Sequence, residues 1–229
     1  MNQLDIDKIK ADLARIIDST DFFFDTRPVE TFPTRYKIPS IVQFTKLGYA
    51  TFILRLRANA LSVLSLLRVV DKNNWSLYHH SIAILNRASL LDCLYIMAWD
   101  KDRNFIKELL ADSFQNLERN KYWRLSELQK ASLNNFRNMF CNTKINVKPS
   151  RILEIVGDEC RPVYLLYDWY SKTDHFSVLD SMIFRLKAQD QVDFLEQATK
   201  VIIESIKALY LIFEKDATIR NVLIKKLSR

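Results

Sequence analysis

Apolar residues recur every three or four positions along almost the whole chain, the spacing of one face of an α-helix. Leu4, Ile6, Ile9, Leu13, Ile16 and Ile17 predict a first helix. A loop-like stretch from Ser19 to Ser40 comes next, broken by Pro28, Pro33 and Pro39 and rich in aromatics that would cover the body. Ser40 is a candidate cap for a long helix from Ile41 to about Val70. Asp71 to Asn74 predicts the turn, and Ser76 the cap of a helix running to Trp99. Two long apolar helices joined by a short polar turn form an antiparallel hairpin.

Beyond a break at Asp100–Asp102, the apolar spacing Phe105, Ile106, Leu109, Leu110, Phe114 and Leu117 predicts an amphipathic helix. It continues through Trp123, Leu128, Phe136 and Phe140, with a kink near Asn120. A short helix from Ser150 to Val156 ends at Gly157, and Pro162 opens the next one. Further helices are predicted over 176–187, from Asp190 to Phe213, and from Thr218 to Leu227. The expected fold is all-α: a single bundle of long antiparallel helices around a buried central helix at about 76–99. One domain spans 1–229, with residues 1–40 as N-terminal helix and proline-containing covering segment and 41–229 as the helical core.

Composition supports this picture. The 229 residues are 48% hydrophobic, enough for a sizeable core, and contain only two glycines. That rules out a glycine-rich phosphate loop of the Rossmann or P-loop kind. The net charge of +7 mildly favours nucleic acid or acidic partners, although the basic residues are dispersed. Cys93, Cys141 and Cys160 form no CxxC pair, and the three histidines no HExxH pattern. No metal or cofactor is expected. The N-terminus is acidic and amphipathic rather than a signal peptide, and Arg55, Arg57 and Arg68 interrupt the most apolar region. A soluble cytoplasmic protein without membrane contact is expected.

The central helix carries two charges that need explaining. Leu85, Ala88, Ser89 and Asp92 share one stripe, on which small residues let a neighbouring helix approach. His80, Ile84, Arg87 and Leu91 share another. Arg87 and Asp92 therefore face different ways, and a buried charge requires a partner. Arg55 and Arg57 are the candidate partners of Asp92; Asp168 and Asp174 are those of Arg87. A second cluster, Tyr167, Ser171 and His175 at steps of four with Asp174 adjacent, offers a side chain suited to proton transfer near neutral pH. A hydrolase triad would draw its members from distant segments, so a histidine with a capping or loop-holding role is the simpler reading of the segment.

The segment NRASLLDCLYIMAW, followed by the Tyr167–Ser171–His175 spacing, resembles a group of uncharacterised bacterial all-helical proteins. In that group an Arg-Ser-Leu-Leu-Glu-Ala type of helix precedes a Tyr-x-x-x-Ser-x-x-x-His segment. The resemblance covers roughly residues 50 to 213; here the acid is Asp and stands five positions after Arg87 rather than four. The group is similar in turn to the higher eukaryotes and prokaryotes nucleotide-binding helical superfamily, many of whose members are ribonucleases in toxin–antitoxin and phage-defence systems. Their Arg and His, four to six residues apart on one helix, have no counterpart here, where His175 is the first histidine after Arg87. The resemblance implies a metal-independent ribonuclease or nucleotide-binding protein in defence or stress response. Arg87, Asp92 and His175 would be catalytic, supported by His80, Tyr167, Ser171 and Asp174, with RNA or a nucleotide as ligand. The alternative is a non-enzymatic protein–protein interaction module, homodimeric or with a partner, or a small-molecule sensor, in which the same polar cluster is purely structural.

Overall fold

Helix α1 (Gln3–Thr26) opens the chain in a computed structural model that describes residues 3–26, 41–71, 73–121, 126–127, 130–131, 143–183 and 188–228. α1 runs past the expected boundary near Asp18. Ser19 and Thr20 are buried, and their hydroxyls donate to the carbonyls of Ile16 and Ile17 one turn back, so these polar residues continue the helix instead of ending it. The proline-containing segment 27–40, with the cap expected at Ser40, lies outside the described residues.

Helices α2 (Ile41–Val69) and α3 (Trp75–Lys101) form the expected hairpin. The turn is built by side chains: Asp71 Oδ1 accepts from the backbone of Asn73 and Asn74, and Asn74 Nδ2 donates to the Val69 carbonyl. This turn starts α3 at Trp75, so Ser76 is inside the helix rather than its cap, and Asn74 stands at the cap position. Gly48 of α2 permits close packing near the open end of the hairpin: a Cβ there would lie 2.7 Å from Ile106 and 3.2 Å from Trp99.

Helix α4 (Phe105–Lys121) is next; most of its expected continuation through Trp123 and Phe140 lies outside the described residues. Helix α5 (Pro149–Val156) ends at Gly157, whose φ of 76° lies in the left-handed region. Helix α6 (Arg161–Ile183) absorbs the start of the separate helix expected from Phe176. Helix α7 (Ala188–Phe213) starts before Asp190, so that residue lies in the first turn, where its negative charge complements the helix dipole, rather than at the cap. Helix α8 (Ala217–Leu227) is capped by Asp216, whose carboxylate accepts from the backbone of Thr218 and Ile219.

The architecture is all-α, with no strand among the described residues. α3 is central: it packs against α2, α4, α5, α6 and α7. α1 closes the bundle against α2, α7 and α8, and Tyr210 of α7 donates to the Ser19 carbonyl. At the far end of the hairpin, Trp99 packs on Phe52 and Phe213, and Phe213 on Tyr49. α3 is not enclosed on every side, however. Its stripe Leu77, Ser81 and Ile84 faces out, with Leu77 76% and Ile84 42% exposed.

Candidate functional site

The polar centre of the bundle lies where α2 crosses α3. Stepping along α2 from Asn59 back to Arg55 moves one turn; stepping along α3 from Ser89 to Asp92 does the same in the antiparallel direction. The two steps match. Asn59 Nδ2 donates to Ser89 Oγ at 3.0 Å, and Arg55 Nε lies 3.0 Å from Asp92 Oδ2. Ser89 Oγ donates onward to the Leu85 carbonyl. The small stripe of α3 thus seats α2, and Arg55, not Arg57, answers Asp92. Arg57 is engaged by Asp21 of α1.

Asp92 is fully buried, yet neither of its oxygens has a hydrogen bond among the described residues. The Arg55 contact is an ion pair without hydrogen-bond alignment. Burial therefore dominates and pushes the Asp92 carboxyl up to about 7, with the Arg55 charge opposing it. Arg55 itself is 53% exposed along its side chain, with its Nε held 3.0 Å from the carboxylate. Beside this pair, Tyr95 donates to the Val147 carbonyl at 3.2 Å. Burial raises its hydroxyl to about 12, assisted by the nearby charges of Asp112 and Asp92 and the neighbouring Tyr167, and opposed by Arg55.

The other expected site residues are distributed differently. Arg87 is half-buried on α3, around the helix from the α2 contact that holds Asp92. Asp168 pairs with Lys172 on its own helix at 2.6 Å. Tyr167 and Ser171 are half-buried on α6, which packs on α3. Asp174 and His175 are within the α6 backbone, but their side chains lie outside the described residues. His79 sits between Trp75 and Trp169. His80 is half-buried, and its Nδ1 has no hydrogen bond among the described residues. Asn86 lies against the buried Tyr170 hydroxyl, whose ionisation burial pushes upward. The described residues hold no group of three His, Cys, Asp or Glu side chains arranged for a metal ion.

Asn59, Tyr95 and Asp112 were not singled out from the sequence. Asn59 has a signal in retrospect, since it stands four residues after Arg55 on the same helix face. Tyr95 and Asp112 have none, because the Tyr95 bond to Val147 and the nearness of Asp112 to Tyr95 depend on how α4 and the segment before α5 pack on α3. Chemically, a sealed Asp92 cannot touch a substrate; it can hold Arg55, whose side chain is half in solvent, at the surface. Comparison with protein-family models, curated sequences and solved structures returned no match for this chain.

Proposed function

We propose that this chain is a non-enzymatic protein–protein interaction module, in which the Arg55–Asp92 pair sets the register of α2 on α3. The carrying observation is the uncovered face of α2. The segment Gly48–Val69 is long and apolar enough to span a membrane by length and composition, as is Leu77–Lys101, but only 33% of its most apolar window is buried, against 56% for the other. A helix this apolar is ordinarily a covered one. Leu54, Leu61 and Val69 are exposed on it. These aliphatic side chains share one exposed side of α2 with Arg55 and Arg68, the mixed apolar and charged composition of an interaction surface.

The test places a photo-crosslinking amino acid at position 61 or, as a control, at position 200 on α7. The expected result is discrete protein adducts from position 61 and none from position 200. Absence of adducts at 61 overturns the reading.

A second reading, a metal-independent ribonuclease or nucleotide-binding protein, is favoured by one observation: α6, whose backbone carries His175, packs along α3, which carries Arg87. In that reading His175 moves the 2′-hydroxyl proton and Arg87 stabilises phosphate charge. Incubation of RNA with the wild type, Arg87→Ala and His175→Ala separates the two. Cleavage by the wild type that both variants lose supports the ribonuclease; no cleavage by any of them supports the interaction module.

A further inference from the structure

The exposed face of α2 has a definite chemistry. From Ile41 to Val69 the helix contains no Asp or Glu, whereas Arg55 and Arg68 both lie on its exposed side. They stand thirteen positions apart, about 20 Å along the axis. Leu61 lies midway between them, 37% exposed. Beside it is a shallow depression, wide open to solvent and lined among the described residues by Leu61, Ser62, Ser65 and Leu66. Ser62 and Ser65 are small beside Leu61 and Leu66, so the surface steps from short to long side chains. A ridge beside a notch is the surface on which a second helix packs.

Of the molecules that could cover such a face, the chemistry favours one. A second copy packed α2 on α2 would bring Arg55 and Arg68 against the same cations, with no acid on α2 to answer them. Single-stranded RNA would need aromatic platforms for its bases, and the exposed apolar residues of this face are aliphatic. A lipid surface would meet the same two arginines, but Ser62 and Ser65 place polar groups in the middle of the face, where a bilayer needs apolar ones. An amphipathic helix with an acidic polar face supplies both the apolar knob and the anionic rim. Arg55 pairs through Nε with Asp92 beneath it at 3.0 Å while half of its side chain stays in solvent.

Resting on the interaction-module reading, we propose that the α2 face docks an acidic amphipathic helix of a partner protein. Its apolar side fills the depression at Leu61–Ser65, and its carboxylates meet Arg55 and Arg68.

The experiment uses three fluorescein-labelled synthetic peptides of about 20 residues, long enough to span the face. All three carry the same Leu/Ala face; their polar positions are Glu, Gln or Lys. Binding to the full chain is read by anisotropy. The Glu peptide is expected to bind best and the Lys peptide worst, with the Glu affinity falling as salt rises. Leu61→Gln is expected to weaken it about tenfold by removing apolar contact, and Arg68→Glu about threefold as a rim charge. Circular dichroism and melting of both variants should match the wild type, since both positions are exposed. Equal binding of the Glu, Gln and Lys peptides, all lost in Leu61→Gln, removes the acidic partner but keeps the docking face. Self-association that Leu61→Gln abolishes also overturns the acidic partner, in favour of a second copy. Binding of anionic vesicles or RNA through this face, with no peptide bound, overturns it in favour of those ligands. Peptide binding indifferent to Leu61→Gln overturns the docking face itself.

Discussion

At the scale of residues, Asp92 is the most consequential position. Its folded pKa of about 7 lies above the ordinary carboxylate value of 3.8, so between those pH values the folded chain holds a proton that the unfolded chain has lost. Stability from this group is therefore greatest below about pH 4 and falls as pH rises to about 7. A shift of this size corresponds to roughly 4 kcal/mol. Asp92→Asn is expected to flatten that slope and leave the chain at least as stable as the wild type at pH 8, measured by urea unfolding across the pH range. A wild-type slope retained in the variant would count against Asp92 as its source. Arg55→Ala does the opposite. It removes the charge that opposes burial, so at pH 8 Asp92 must take up a proton and unfolding is expected to cost about 1 kcal/mol less than in the wild type. The loss should shrink at pH 5, where Asp92 is protonated. Equal losses at the two pH values would show that packing, rather than charge, is what Arg55 contributes.

At the scale of elements, most helices were legible because the apolar period of 3.6 repeats over long stretches, and long periodic segments overdetermine their own type. The boundaries were less legible. Ser19 and Thr20 read as loop formers, yet a hydroxyl buried among apolar neighbours has no acceptor except its own helix's carbonyls, and bonding there extends α1. The hairpin turn hid Asn74 as the start of α3 because Ser76 is an equally good cap by type; the Asp71 side-chain bonds decide between them. Gly48 is an element-scale constraint, since it sets how closely α2 approaches α3 and α4. Gly48→Val is expected to destabilise the chain by about 1–3 kcal/mol through overpacking against the buried Ile106 and Trp99. Thermal unfolding checks this; an unchanged melting temperature would mean that α4 can shift to make room.

At the scale of the whole molecule, α1 and α8 tie the two ends of the chain into one core. Lys226 of α8 donates to Asp18 of α1, Lys8 pairs with Glu196 of α7, and Leu223 and Leu227 are buried. Ending the chain at Phe213 would expose the surfaces those two leucines cover, a loss of about 3–6 kcal/mol. The truncated chain is expected to lose most of its cooperative unfolding transition by circular dichroism. A truncated form that melts like the full chain would make α8 an appendage.

The sequence by itself determined that the chain is helical, that residues 76–99 hold the centre, and that Asp92 needs a cation from another helix. Each of these rests on short-range rules: helical period, the scarcity of glycine, and the cost of burying an unpaired charge. Only the tertiary structure chose Arg55 over Arg57, because a two-residue step on α2 turns a side chain from the α3 seam to the α1 seam. It alone left one stripe of α3 and one face of α2 uncovered, since exposure depends on which neighbours arrive and not on the hydropathy of the helix they leave bare. And it alone sealed Asp92 beneath α2 while leaving Arg87 half-buried elsewhere on α3, because the depth of a charge is set by the helices packed over it and not by its place in the helical period.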